Sequence, residues 1–504
     1  MRISYRKISW IFAAIMMAAS VLYSCEPVPP VDRPDQEQEQ ETPGGNEGNG
    51  NEDTPGGGDN PGGEENPGGG DNPGGGENPE PEVPVNADVI ESAVLTFAYY
   101  DMIGDIDVEN RRVDFYMETY GDDAPNLRYV PVVFTTKDGY KVKGTDREFI
   151  RLILTPEDQP ARVTFEKDGV QVEYEVYLDL QYKEVPPTPF EFHRGVNLSY
   201  WFQDAKPWYD DQTIEEISYY GFDHVRIPFD SQIMFNTDGS VIRAHMDMLH
   251  YVVRKCMEKG LNVILDMHWL VNGNMFYEEA AAVELVNNWN KIIKEFSKYP
   301  VDRVAYEILN EPHGYGWLGM QRNMLHMIRH YEPSRVIFIS PQGFHPDSAV
   351  DFDIHEGDPN LVVTFHYYDP MLASHKLLWK YTGPSHYPGY LFSDEEWEAM
   401  SDANKAIAEG HRGVYYDYNH AYSTFKAVVD NQNLKHLRLH CGEFGYSHRN
   451  DREERLQWFR DVVKVFNELD IAYTTWENWG GDFGPGDWQN RPDEEVIDIL
   501  MQRE

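Results

Sequence analysis

Two periodicities divide the chain. From Val89 to Tyr182 apolar and polar residues exchange at every second position in short runs, Ala93–Tyr99, Arg112–Met117, Tyr129–Phe134, Ala161–Phe165 and Val170–Leu178, separated by turn-forming residues. A period of two buries one face of each strand, so residues 88–185 are expected to form a small antiparallel β-sandwich. Beyond the proline-rich hinge Val185–Pro189, over residues 186–504, the pattern changes. Apolar, β-prone runs recur at Arg194–Ser199, His224–Pro228, Asn262–His268, Val304–Asn310, Arg335–Ser340, Leu361–His366, Leu437–Glu443 and Ile471–Trp476. Continuous apolar runs of this kind are strands buried on both faces. Between them the spacing turns helical: Leu249, Val252, Val253, Cys256 and Met257 lead to a stop at Gly260, and Leu456, Phe459, Val463 and Phe466 precede the last strand. Eight strands alternating with helices predict a (β/α)8 barrel of the TIM type.

Ahead of the sandwich neither pattern exists. Arg2, Arg6 and Lys7 precede an apolar run from Trp10 to Tyr23, which falls short of the roughly 20 residues of a comfortable membrane span and has the layout of a signal peptide. Leu22 to Cys25 resembles the bacterial lipobox, in which cleavage precedes a cysteine that then takes the lipid. Residues 1–25 are therefore expected to be a lipoprotein signal, with Cys25 lipidated. Residues 26–87 are dominated by Pro, Gly, Asn and acids, with a degenerate repeat beginning at Asn60, Asn66 and Asn72. Such a segment cannot build a core and reads as a disordered linker with an r.m.s. reach of roughly 45 Å. Its acidic start also resembles the surface-export signal of glycan-foraging Gram-negative bacteria. Together these features predict a lipoprotein of the bacterial outer membrane, exposed at the cell surface and touching the membrane only through its lipid.

A formal charge of −43 excludes nucleic acid as a partner, because such a surface repels phosphate. A neutral ligand is compatible with it, and the aromatic content of 13% suits sugar rings as well as ordinary core. Cys256 and Cys441 show no disulfide-framework spacing and read as buried thiols.

The chemistry gathers at strand ends. The run from Arg303 to His313 is an apolar strand stopped by Asn310, Glu311 and Pro312, and Arg438 to Gly445 is another that closes on Glu443. In a parallel barrel the C-terminal edge is where side chains from separate strands meet substrate, so two glutamates there suggest a glycosidase pair. The other polar residues at that edge are Arg226, His268, Asn310, His366, Tyr368 and Trp476. Taken singly, Arg226 could be a structural ion pair and either histidine a satisfied core residue. A metal on Asp266 and His268 lacks a second His-rich strand end, so no metal and no cofactor are expected.

As a set, these motifs resemble glycoside hydrolase family 5, whose retaining β-glycanases carry Arg-Ile-Pro, Asp-x-His, Asn-Glu-Pro, His-x-Tyr, Gly-Glu-Phe-Gly and a strand-eight Trp. The resemblance covers about Pro189 to the C-terminus. It implies that Glu311 is acid/base and Glu443 nucleophile, that Arg226 and Tyr368 surround Glu443, and that Asn310 bonds the sugar 2-hydroxyl. It further implies that His268 and His366 hold hydroxyls and orient the glutamates, and that Trp476 floors the reacting sugar. The sandwich resembles the immunoglobulin-like modules preceding such catalytic domains; it lacks a tryptophan cluster and reads as a spacer. The segment from Asp369 to about Arg412 exceeds an ordinary βα loop and is expected to build part of the cleft, with Trp379, Tyr381, Tyr387, Tyr390 and Trp397 in it and Tyr315 and Trp317 after the acid. The expected protein is a monomeric endo-acting β-1,4-glycanase on plant-type polysaccharide, foremost a β-glucan. β-Mannan, xyloglucan and β-1,3-glucan stay open as substrates, and a non-catalytic glycan-binding lipoprotein or a transglycosylase as activities.

Overall fold

The computed structural model describes residues 87–503 except 98–99, 121–126, 148, 204–205, 278, 355–356 and 376–379. The segments read as signal peptide, lipobox with Cys25 and linker lie outside the described residues, as does Trp379.

Residues 90–183 build two sheets. One has the order Tyr100–Ile103, Ile90–Phe97, Val130–Thr136, Ile150–Leu152, and the other Asp105–Asp107, Arg112–Tyr120, Val170–Lys183, Ala161–Lys167, Lys141–Val142. Leu95 and Val132 from the first face Phe115, Val163, Tyr174 and Val176 from the second in a single apolar core. The expectation of a wholly antiparallel sandwich needs correction. Arg112–Tyr120 runs parallel to Val170–Lys183, from Arg112 opposite Glu175 to Tyr120 opposite Lys183. A period of two fixes which face is buried but carries no information about a strand's neighbour or direction. Here Ala161–Lys167 and Val170–Lys183 form an antiparallel hairpin, and its second strand is the one laid beside Arg112–Tyr120.

The eight expected strands close a parallel barrel in sequence order: Arg194–Asn197, His224–Asp230, Asn262–Trp269, Val304–Glu307, Ile337–Ile339, Leu361–Tyr367, Arg438–Phe444 and Ile471–Thr475. Helices such as Arg243–Glu258 and Arg452–Glu468 surround it. The helix Trp317–Tyr331 also receives the sandwich, with Phe97 edge-on to His326 and Tyr100 stacked on His330 at 4.0 Å.

The N-terminal end of the barrel is plugged by the chain that enters it. Phe190 and Phe192 are buried against Ile264, Ala305, Val336, Phe338 and Val362. Phe192 lies 5.1 Å from Phe338 and 5.7 Å from His440, centroid to centroid. Above the plug, Thr474 Oγ1 is hydrogen-bonded to His224 Nε2 at 2.8 Å and His440 Nε2 at 2.7 Å, and Thr364 reaches His440 Nδ1 at 3.1 Å. A hydroxyl has one proton to give, so Thr474 can donate to no more than one of these imidazoles and must accept from the other.

The long segment after strand six is ordered by its own packing. It contains a short antiparallel pair, Gly389–Tyr390 with Tyr415–Tyr416, and the helices Asp394–Ala399 and Asp402–Ala408. Ser393 and Glu396 cap the first of these reciprocally. Tyr381, Tyr387 and Trp397 are buried, and Tyr387 donates to Asp461 Oδ2 at 2.8 Å. Of the loop's described aromatics these three pack the loop itself, while Tyr390 stays exposed. At the loop's base His345 contacts Asp369 at 2.9 Å; burial opposes a charge on His345, but Asp369 and Asp347 raise its pKa to about 10.

Because Phe192 fills the barrel floor far from the strand ends that carry the glutamates, Phe192→Ala should destabilise by about 3–5 kcal/mol. Denaturant unfolding measures the loss, and kcat of the folded fraction should stay at the wild-type value.

Candidate active site

Period-two geometry aims the site residues. On strand two Arg226 points into the barrel; on strand three Asp266 and His268 share a face; on strand six His366 is followed one residue past the strand by Tyr368 on the same side. The pairing of strands six and seven shifts between Phe365 and His366, which sets His366 opposite Glu443. Strand four ends at Glu307, so Asn310 and Glu311 stand beyond it and not on it. The ladder continues in part, with Asn310 N donating to Met267 O at 3.0 Å. Asn274 clamps the same turn, donating to Asn310 O at 2.6 Å and His268 O at 2.8 Å. Glu311 itself has φ of +42°, a left-handed conformation that costs a non-glycine residue roughly 1–2 kcal/mol.

Arg226 is fully buried and all five of its N–H groups are used. Nε and Nη2 donate to the two oxygens of Glu307 at 2.7 and 2.8 Å, Nη2 also to Asn310 Oδ1 at 2.9 Å, and Nη1 to Asn197 Oδ1 at 3.0 Å and Glu443 Oε1 at 2.9 Å. Asp266 Oδ2 is a further ion-pair partner at 3.0 Å. Burial works against the guanidinium charge, but Asp266, Glu307 and Glu443 outweigh it and hold its pKa well above the usual value. The carboxyls outnumber the cation. Burial pushes Asp266 up to about 7 and also raises Glu307, in both cases against the pull of Arg226.

Around the two strand-end glutamates the contacts differ. Glu443 accepts from Tyr368 Oη at 2.9 Å in addition to Arg226. Glu311 is 2.9 Å from His366 Nδ1, and burial raises its carboxyl above the ordinary glutamate range against the opposing influence of His313, His268 and Arg226. One oxygen of each glutamate and a ring nitrogen of His366 lie within 4.8 Å of one another. That separation matches the roughly 5 Å between carboxyls in a double-displacement glycosidase, with no room for an intervening water. By spacing the same trio could hold a divalent ion, but Arg226 already compensates Glu443 and its charge would repel a second cation. Burial lowers both His268 and His366 to about 4, so both imidazoles are neutral near pH 7. His268 is held by Asp266 at 2.7 Å and stacks on Trp476 with ring planes 6° apart.

All eight expected site residues of the barrel thus converge on one mouth, although His268 reaches Asp266 and Trp476 and has no hydrogen bond to either strand-end glutamate. Sequence reasoning missed Glu307, Asn197, Asn274 and Glu477. Glu307 could have been found as a charged residue within an apolar strand, which requires a buried cation opposite. Glu477 follows Trp476, accepts from Asp482 N at 2.7 Å and is raised to about 8, chiefly by burial. Cys441 is buried below Glu443 and its thiol donates to the Glu443 carbonyl at 3.3 Å, so it is no nucleophile.

The chain is 26% identical over 345 residues to endoglucanase C of Acetivibrio thermocellus, an alignment covering 62% of this chain and 98% of that protein. It is 24% identical over 300 residues to cellodextrinase A of Ruminococcus flavefaciens, covering 55% and 83% respectively. The crystal structure of endoglucanase Cel5A from Thermotoga maritima superposes with a TM-score of 0.49 at 21% identity, over 61% of this chain and 96% of that one. The family model described as cellulase (glycosyl hydrolase family 5) matches residues 179–482. With the barrel and the paired glutamates in place, the chain belongs to glycosyl hydrolase family 5, the cellulase family.

Proposed function

We propose that this protein is an endo-acting, retaining β-1,4-glucanase. The observation that carries the reading is the approach of Glu311, Glu443 and His366 to within 4.8 Å at the mouth of the barrel. In the mechanism, Glu443 attacks the anomeric carbon while Glu311 protonates the departing oxygen. Water, deprotonated by Glu311, then releases the sugar from Glu443 with net retention. Arg226 and Tyr368 hold the attacking carboxylate in place. Arg226 also occupies the amide oxygen of Asn310, which leaves the amide N–H groups as donors for a sugar hydroxyl. Trp476, backed by the neutral ring of His268, floors the reacting sugar. The names of the relatives support β-1,4-glucan over mannan or xyloglucan. We place the enzyme on the bacterial cell surface, anchored through lipid on Cys25 and held off the membrane by the acidic linker, with the β-module as an immunoglobulin-like spacer. New reducing ends from a panel of soluble β-glucans and β-mannans test the substrate class, and release from mannan alone would overturn it.

The two carboxylates separate kinetically. Glu311→Ala should lose roughly a hundred- to ten-thousand-fold on polysaccharide yet keep its first-step rate on aryl glycosides with acidic phenols. Glu443→Ala should fail on both. Azide should give the β-glycosyl azide with Glu311→Ala and the α-azide with Glu443→Ala, read by NMR; the reverse pattern would exchange the two roles.

The raised pKa of Glu311 carries a sign. The acid must hold its proton, so kcat/KM on polysaccharide should fall as pH rises through that pKa, which lies above the ordinary glutamate value of about 4.3. In Glu311→Gln the residual activity on dinitrophenyl glycosides should lack this alkaline limb. A limb that persists would belong to another group, with Asp266, raised to about 7, the first candidate.

The anchor is tested by Cys25→Ser, which should move the protein from the membrane to the soluble fraction with unchanged specific activity. An equally membrane-bound mutant removes the lipid from the account.

A further inference from the structure

We propose that Tyr277 and Tyr315 form a stacking platform for neutral pyranose units on the leaving-group side of Glu311; this rests on the glycanase reading above and extends it. Tyr315 is 80% exposed and Tyr277 56%, and their ring centroids are 5.7 Å apart. Apolar ring faces this open to water are ordinarily mobile, but here the backbone beneath them is braced. The Tyr315 hydroxyl donates to Tyr277 O at 3.1 Å. Phe276 N donates to His313 O at 2.7 Å, His313 N to Asn274 O at 2.8 Å and Gly316 N to Phe276 O at 3.1 Å, which joins the loops after strands three and four. The fit leaves no space for side chains at two positions. A Cβ on Gly314, which has φ of +99°, would sit 2.8 Å from Phe276 N, and one on Gly316 would sit 2.8 Å from Phe276 O. Two rings presented on a fixed scaffold lose little entropy on stacking with a ligand.

The scaffold is the one that carries the acid. Asn274 ties the platform loop to the carbonyl of Asn310, next to Glu311. Tyr315 lies four positions after Glu311, at most about 14 Å of extended chain, and the turn at Gly314 shortens this. The platform therefore lies within a few sugar units of the bond Glu311 protonates. A general acid faces the departing oxygen, and it is the sharing of one loop by Glu311 and the aromatic surface that assigns the platform to the sugar carrying that oxygen. Trp476, against His268, serves the sugar that is retained. Neither tyrosine has an ion-pair partner among the described residues that would draw a charged ligand, and the occupant is a neutral pyranose.

The test compares two substrates that differ beyond the cleaved bond. Cellohexaose extends across the leaving-group side, whereas an aryl β-cellobioside ends in a phenol there. The double variant Tyr277→Ala/Tyr315→Ala should lose roughly tenfold in kcat/KM on cellohexaose, with a changed pattern of cleavage positions. On the aryl cellobioside it should stay within about twofold of wild type, which also reports its folding. Tyr315→Phe keeps the ring but loses the bond to Tyr277 O, so it should lose much less on cellohexaose than the double variant; a loss as large as the double variant's would overturn stacking as the cause. An undiminished rate on cellohexaose, or equal losses on both substrates, would overturn the platform. A wild type inactive on both would instead remove the glycanase reading, and the platform with it.

Discussion

A single guanidinium sits where the inner ends of the site residues meet, and the site is arranged around keeping it satisfied. Arg226 on strand two reaches Asn197 at the end of strand one, Glu307 and Asn310 at the end of strand four and Glu443 on strand seven. An isolated buried charge costs several kcal/mol after relaxation, so a barrel that buries one must supply acceptors from several strands. Those acceptors become oriented in return. Asn310 has its amide oxygen and Glu443 one carboxylate oxygen committed to the arginine, while Tyr368 holds the second oxygen of Glu443. The positions of two groups that would touch substrate thus follow from a charge that substrate never meets.

Strand-level patterning carried the barrel because eight apolar runs with helical spacing between them admit few other architectures, and the observed strands fall on all eight. The site residues were legible for a related reason: a polar residue closing an apolar strand has few structural uses. What stayed hidden required partners distant in sequence. Glu307 looks like an ordinary strand residue until Arg226 is placed against it, and Asn274 sits in a loop whose clamp on Asn310 has no local signal. The long segment after strand six was legible only in part. Sequence alone does not divide its aromatics between sugar contacts and packing, and Tyr381, Tyr387 and Trp397 are spent on packing a loop too long to be held by its ends.

The barrel is also asymmetric along its axis. At one end Phe190 and Phe192 exclude water beneath the Thr474 hydroxyl and its two histidines. At the other end polar side chains face the mouth. Burial keeps His440 well below the usual histidine pKa and lowers His268 and His366 to about 4. Arg226 is consequently the cation that Asp266, Glu307 and Glu443 compensate near pH 7, and neither His268 nor His366 shares it.

That economy bears on how one glutamate can serve as acid and then as base. In the proposed mechanism Glu443 is an anion when Glu311 gives up its proton and a neutral ester when Glu311 must take one from water. The two carboxyls have oxygens within 4.8 Å, a distance at which unit charges interact by about 3 kcal/mol for an effective dielectric of 20. While Glu443 is charged, that repulsion adds to burial in favouring the protonated acid. Once the ester forms, the proton has passed to the departing oxygen and the repulsion is gone, so Glu311 remains a carboxylate, with Arg226 opposing the effect of its burial. The second step then finds Glu311 as a carboxylate whose pKa has fallen, and a water entering the leaving group's place gives it the next proton. The change of role needs no movement of Glu311, whose strained backbone is clamped by Asn274 through Asn310 in either state.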